Sequence, residues 1–350
     1  MVDNRSESVV TGDEVWEAMP SYATLANDMV RLYNQTFVRY KDGSYRFPMD
    51  ISEDFDVLFN FRREDVLLVM GLAVSFTLMR SVITKFLLIP LGKYLALSPE
   101  SAAKLPESVW KLVYYGYVWG YAFRVVVSSG QYRFFQNPSS VWQGYSASAA
   151  IPSDIYWLYA VQGSFYIHGL YALFFQDSWR KDSVIMGIHH VVTIFLIWVS
   201  FVCRYHNIGS LVMLFHDFCD VELEFAKINV YLKVRSGRNH KTNDLLAAVS
   251  FLSMTVTWFI SRLYYFPLKV LYACSTVFLG RDFYPDYTML IVSMLLLLTA
   301  MNVFWFSQMI VFLYKILTGE LSEVDDIREY DVVEKLERSN EKAIKDKKFT

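Results

Sequence analysis

The sequence predicts an all-α, polytopic membrane protein with about seven transmembrane helices. Three observations predict it. The 350 residues are 54% hydrophobic and 17% aromatic, with a mean hydropathy of +0.25, a composition unusual for a soluble domain of this length. Seven apolar runs approach or exceed the roughly 20 helical residues that a hydrocarbon core about 30 Å thick requires. The connections between those runs alternate between rich and poor in Lys and Arg. The net charge of −2 gives no reason to expect nucleic acid as a partner.

The first run is 66–83, "VLLVMGLAVSFTLMRSVI". The others fall at about 109–128, 155–175, 183–203, 206–232, 245–273 and 287–317. The second contains Arg124 and the fifth is the most charged. Residues 1–30 are polar and acidic, with no apolar signal-peptide core, so the first span is expected to act as the targeting signal. Cys203, Cys219 and Cys274 sit in apolar surroundings and form neither a paired metal spacing nor a disulfide framework. They are expected to be buried thiols.

Orientation follows from the basic residues. Lys85, Lys93 and Lys104 follow the first span, Arg180 and Lys181 the third, and Lys233, Arg235, Arg238 and Lys241 the fifth, while Lys315 and a lysine-rich tail follow the seventh. The alternate connections are poorer: Arg133, Arg204, and Lys269 with Arg281. The C-terminus is therefore expected in the cytosol and the N-terminus in the lumen. Two further signals agree with an odd number of spans. "NQT" makes Asn34 a glycosylation acceptor, with "NRS" at Asn4 a weaker one. The chain ends "KKFT", placing Lys347 and Lys348 where a cytosolic endoplasmic-reticulum retrieval signal is read.

Ionisable groups inside the spans are costly, roughly 2.5–3.5 kcal/mol each at mid-bilayer on insertion scales, so their pattern is informative. In the fifth span Met213, Asp217, Asp220, Glu224 and Lys227 recur at three or four residues and form one stripe, with His216 at its edge. Glu222 falls off it. In the fourth span His189, Thr193 and Leu196 share a face and His190 adjoins it. Both sets are expected to face a common cavity that opens to the cytosol. Glu224 and Lys227 can neutralise each other as an i, i+3 pair. His168 and His206 read as interhelical hydrogen bonders, and Arg124 and Arg262 as snorkelling or carboxylate-paired cations. Six histidines without HxxxH or HxxHH sets argue against a metal centre, and none is predicted.

Specific motifs now come into play. "WRKDSVIMGIHHVVT", "CRYHNIGSLVMLFHDFCDVELEFAK" and "SRLYYFPLKVLY", with "FFQNPSSVWQGY" and "QGSFYIHGLYA", together resemble the ceramide synthases of the TRAM–Lag–CLN8 (TLC) family. The paired His, HDxxD and LEFAK elements are similar to the Lag motif, and the resemblance covers about 105–329. Cys219 stands where the family usually has serine in HDxSD, which puts any role of that hydroxyl in doubt. The short connection between the first two spans, about 84–108, leaves no room for the homeobox-like domain of other animal members.

The resemblance implies a six-helix bundle enclosing an active-site cavity, and acyl-CoA-dependent N-acylation of sphinganine or sphingosine to give (dihydro)ceramide, with acyl-CoA a co-substrate and no cofactor. It implies catalytic roles for His189, His190, His216, Asp217 and Asp220. An imidazole either deprotonates the attacking amine directly or first forms an acyl-imidazole, which the family favours. His189 is the expected nucleophile and His190 its helper. Arg180, Lys181, Glu224 and Lys227 are expected at the substrate-binding mouth. The expected layout is a luminal segment 1–65, a first helix and cytosolic connection 66–104, a catalytic membrane domain 105–317 and a charged cytosolic tail 318–350. Expected partners are the acyl-CoA, the sphingoid base, membrane lipids and, as a homo- or hetero-dimer, a further subunit. The alternative is a non-enzymatic lipid sensor or transporter on the same fold. A seven-span receptor or ion pathway leaves the His and Asp set without a role.

Overall fold

A computed structural model describes residues 16–43, 61–146, 148–280 and 287–319. Asn4, Lys347, Lys348 and residues 281–286 of the last inter-span connection lie outside the described residues.

Eight helices occur among the described residues. They are α1 (Tyr22–Lys41), α2 (Arg63–Tyr94), α3 (Pro99–Phe123), α4 (Ser153–Phe175), α5 (Ser183–Val202), α6 (His206–Leu232), α7 (Lys241–Ser275) and α8 (Thr288–Leu317). The last seven coincide with the seven expected spans. Four of them, α2, α5, α7 and α8, are long and apolar enough to cross a membrane by length and composition. The other three run 25, 23 and 27 residues but carry the polar groups described below. The chain is a multi-pass membrane protein.

The expected connection at 84–108 is much shorter. Helix α2 continues past Ile83 through a π-wound turn, Thr84–Leu88, to Tyr94. Ser98 then caps α3, accepting a hydrogen bond from the Ser101 N–H at 3.2 Å, with Pro99 in the first turn. Only residues 95–98 remain between the helices. Sequence periodicity did not anticipate α1. It is amphipathic, buries Leu25, Met29, Leu32 and Thr36, and packs on the far end of α7.

Six helices close a ring. Helix α3 packs on α6, α6 on α7, α7 on α8, α8 on α5, α5 on α4, and α4 back on α3. Helix α2 lies outside it against α4. Its outward residues Leu67, Val74, Leu78, Val82 and Phe86 are more than half exposed, an apolar surface suited to lipid rather than water. Helices α5 and α6 are joined by only residues 203–205. Their principal partners differ, so they face each other across the ring.

A small hairpin marks one end of the bundle. Val234–Arg235 pairs with Arg238–Asn239, and Ser236 and Gly237 both adopt positive φ, at 52° and 71°. That is the geometry of a two-residue primed turn, for which a glycine is favoured. The hairpin reaches back to the α2–α3 link: Leu97 bridges Arg235, and the Ser236 N–H donates to the Ala96 carbonyl at 3.1 Å.

Helix α7 changes winding midway. Phe259–Leu271 is π-wound and holds Pro267, which has no N–H to give the helix. Arg262 sits on this stretch.

Candidate active site

The ring encloses a cavity of about 370 Å³ that opens at the hairpin end, where Asp177, Arg180, Lys181 and Asp182 line it. All six ring helices contribute, with Tyr115 from α3, Tyr166 from α4, His189 and His190 from α5, Asp220 from α6, Arg262 from α7 and Trp305 from α8. Phe304 and Gln308 of α8 line it and are also exposed. A second cavity of about 60 Å³ continues deeper. His189 and Tyr166 line both.

Helical spacing explains the convergence. His189, Thr193, Leu196 and Ser200 recur at three or four residues and supply the α5 wall of the inner cavity. Gly209, Met213, His216 and Asp217 supply the α6 wall. The expected stripe is therefore inward-facing, but divided. Asp220, Glu224 and Lys227 line the outer cavity, and Asp217 and His216 the inner one. Glu222, off the stripe, accepts hydrogen bonds from Ser253 and Thr257 of α7 at 2.5 and 3.5 Å.

The two adjacent histidines differ in setting. His190 Nδ1 lies 2.7 Å from the Met186 carbonyl. A carbonyl only accepts, so Nδ1 carries the proton and Nε2 keeps its lone pair. His189 stands edge-on to Trp305 at 5.4 Å between centroids, and its buried Nδ1 has no partner among the described residues. Tyr166 packs against both rings, at 6.2 and 5.6 Å. Gly169 leaves space for His190: a Cβ there would lie 2.9 Å from His190 Nε2. Gly169→Ala is accordingly expected to displace the imidazole and lower turnover about 10²-fold while the protein remains folded, as checked by turnover alongside detergent size-exclusion chromatography.

His216 is held differently. Its Nδ1 donates to the Val212 carbonyl at 2.8 Å and its Nε2 accepts from Asn302 at 3.1 Å. Both nitrogens are spent on a neutral ring, which makes His216 a fixed strut rather than a free base. Asp217 is 1% exposed and accepts from the Gln162 amide. Gln162 in turn accepts from the Tyr114 hydroxyl at 3.2 Å. Asp220 pairs with Arg262 at 3.0 Å. Arg262 also donates to the His216 carbonyl and lies 3.8 Å above the Trp258 ring. The expected carboxylate partner of Arg262 is thus Asp220, and the cation ties both halves of the acidic stripe to α7. Cys219, in the family's serine position, lies 3.2 Å from the Ser261 hydroxyl.

Charges crowd the mouth. Glu107 bonds Lys111 at 2.7 Å and Arg180 at 2.8 and 3.0 Å, while Asp177 bonds Lys111 at 2.9 Å and Arg80 at 2.5 Å. Burial alone would raise the pKa of Asp177, in the connection after α4, but the Lys111 and Arg80 cations hold it below the usual carboxylate range despite the neighbouring Glu107. The five groups (Arg80, Lys111, Arg180, Glu107, Asp177) carry three positive and two negative charges, and Lys181 with Asp182 beside them leaves the balance at one excess cation. Lys181 is exposed at the rim. Glu224 and Lys227 pair at 2.9 Å as their spacing predicts. Sequence reasoning missed Arg80, Glu107, Lys111 and Asp177. The signal was present: Arg80 interrupts the apolar run "FTLMRSVI".

His168 meets Thr77 of α2 at 2.9 Å, the interhelical bond expected of it. His206 does not follow suit, because its buried Nδ1 has no partner among the described residues. Asn34 is exposed on α1, while Thr36 of its acceptor triplet is buried and donates to the Leu32 carbonyl at 2.8 Å. No group of three or more metal-ligating side chains occurs among the described residues.

Comparison with known proteins adds a second line of observation. A family model described as "TLC domain" matches residues 104–311. The human protein "Ceramide synthase 1" is 44% identical over 296 residues, covering 82% of this chain and 83% of that protein. Mouse "Ceramide synthase 1" is 43% identical over 272 residues, 77% of each chain. "Ceramide synthase 1 LOH3" of Arabidopsis thaliana is 28% identical over 285 residues, 72% of this chain and 84% of the relative.

Proposed function

The chain belongs to the TLC-domain family, and from that premise we propose that it is a ceramide synthase, transferring a fatty acyl group from acyl-CoA to the amine of a sphingoid base. The observation that carries this reading is the pair of adjacent histidines lining a six-helix cavity opposite Asp220 and Arg262. A sensor or transporter has no use for such a set, since several mutually dependent buried charges add little stability.

The cavity suits both substrates. The charged mouth, with its excess cation and Lys181 at the rim, favours the phosphates of CoA. Arg180 serves there indirectly, because Glu107 already holds its guanidinium from two sides. The exposed wall at Phe304 and Gln308 gives a membrane-dissolved base a lateral entry. The inner cavity takes the acyl chain, lined by Leu196, Met213, Leu295 and Leu298 below the histidines.

His189 stands between outer and inner cavities, where a thioester carbonyl arrives with CoA on one side and its alkyl chain on the other. Its imidazole attacks that carbonyl, the C–S bond breaks, and CoA departs as the thiol with the proton that the acylated ring sheds. The sphingoid amine then attacks the acyl-imidazole. The Nε2 lone pair of His190 receives the proton the amine loses as the amide forms, and the departing His189 imidazole takes that proton up to regenerate both neutral rings. Asp217 and Asp220 balance the transient positive charge. By this reading 105–317 is the catalytic membrane domain, the protein sits in the endoplasmic reticulum membrane with its mouth facing the cytosol, and Asn34 is luminal and glycosylated.

Membranes containing the full chain, given stearoyl-CoA and sphinganine, are expected to form dihydroceramide. Asp217→Asn is expected to remove that product at unchanged protein level. Intact mass after acyl-CoA alone is expected to show an acyl adduct. Product without any adduct would replace the covalent route by direct transfer, and absence of product from the native chain would refute the enzyme reading.

A further inference from the structure

The inner cavity has a built floor. At its far end the Tyr159 hydroxyl of α4 meets the Ser200 hydroxyl of α5 at 3.0 Å, both side chains lining the cavity. Gly209 of α6 lies against the same hydroxyl, so closely that a Cβ there would fall 1.8 Å from the Tyr159 oxygen. Three helices therefore meet across the bottom of the slot, and the contact exists because residue 209 has no side chain. Around that end the wall is apolar, with Leu196, Ile208 and Leu295, while Thr193, His216 and Asp217 line the same cavity nearer His189. Burying two hydroxyls is costly unless their protons are placed, and here they are: Ser200 donates to the Ile197 carbonyl at 3.1 Å, which leaves Tyr159 to donate to Ser200.

We propose that Tyr159, Ser200 and Gly209 form the stop that sets how long an acyl chain the protein accepts. The proposal rests on the acyltransferase reading and assigns the specificity of that same site. His189 marks the other end of the slot. From His189 to Ser200 along α5 is eleven residues, about 16 Å of helix. A chain tethered at His189 extends through the inner cavity until its methyl terminus meets the hydroxyl pair. The cavity of about 60 Å³ has to widen by rotamer shifts of its leucine and methionine walls to admit the chain, whereas the floor is fixed by a hydrogen bond and a backbone contact. Chains that stop short leave a void beneath them, and longer ones have to break the bond.

The test is a competition. Membranes carrying the full chain receive sphinganine and an equimolar series of saturated acyl-CoAs from 14 to 24 carbons (~14–24, spanning about two helical turns in length), and product lengths are read by mass spectrometry. Ser200→Leu raises the floor and is expected to shift the preferred product shorter by about two to four carbons, roughly half a helical turn to one turn. Tyr159→Phe removes the hydroxyl with little change in volume and is expected to extend the distribution toward longer chains. Because Tyr159→Phe is nearly isosteric, it reports even if Ser200→Leu fails to fold. Product distributions identical to the native one in the folded variants would overturn the proposal. Failure of the native chain to acylate sphinganine with any acyl-CoA would instead overturn the acyltransferase reading on which it rests.

Discussion

His190→Ala is expected to lower dihydroceramide formation by about 10³-fold, within the range for loss of a positioned base, with no fall in protein level. The geometry makes a sharper statement than loss of activity. His190 Nδ1 is committed to the Met186 carbonyl, so the lone pair faces away on Nε2. If that lone pair serves the second step, the variant still reacts with acyl-CoA, and the acyl group remains on His189 for want of an amine that can shed its proton. Intact mass of His190→Ala after acyl-CoA alone is therefore expected to show the adduct persisting when sphinganine is added, whereas the native chain discharges it. A variant that neither loads nor transfers would move the first step onto His190. One that transfers normally would remove the residue from the chemistry.

The second large effect is expected at Arg262. Its guanidinium pairs with Asp220 at 3.0 Å, donates to the His216 carbonyl and covers Trp258. Arg262→Leu leaves Asp220, whose side chain is 21% exposed in the outer cavity, without its cation, and breaking a largely buried pair on one side costs at most about 3–5 kcal/mol. The expected result is a large fall in thermal stability in detergent together with loss of turnover. Arg262→Lys keeps the charge but not the fork that serves a carboxylate and a carbonyl at once. It is expected to recover much of the stability and little of the turnover. Equal recovery of both would make Arg262 a purely structural cation.

The helices were legible because hydrocarbon imposes a length and a polarity on whatever crosses it, and 206–232 matches α6 at both ends. The inward stripe on α6 was legible for the same reason, since its charges had nowhere else to face. Where the pattern was local the reading held, as in the Glu224–Lys227 pair. It failed where the outcome depended on neighbours distant in sequence. Nothing in "HHVVT" or "FHDFCD" says that α5 and α6 face each other across a ring, or that Asn302 and the Val212 carbonyl occupy both nitrogens of His216. The connection at 84–108 was misjudged because Lys85 was counted into it, whereas α2 runs on past that lysine through the apolar "FLLIPL" to Tyr94. Gln162 and Glu107 escaped notice because a single polar residue in a long run is informative only once its partner is known.

The hairpin at residues 234–239 gives the entrance two unlike jaws. On one side, backbone hydrogen bonds stitch it to the 95–98 link, so that α2, α3, α6 and α7 meet in a rigid seam. On the other, the 176–182 segment is gripped by side-chain ion pairs, Arg80 to Asp177 and Arg180 to Glu107. A polyphosphate competes for guanidinium groups but not for amide hydrogens. A polyanion at the entrance therefore acts on the ionic jaw and leaves the stitched one untouched.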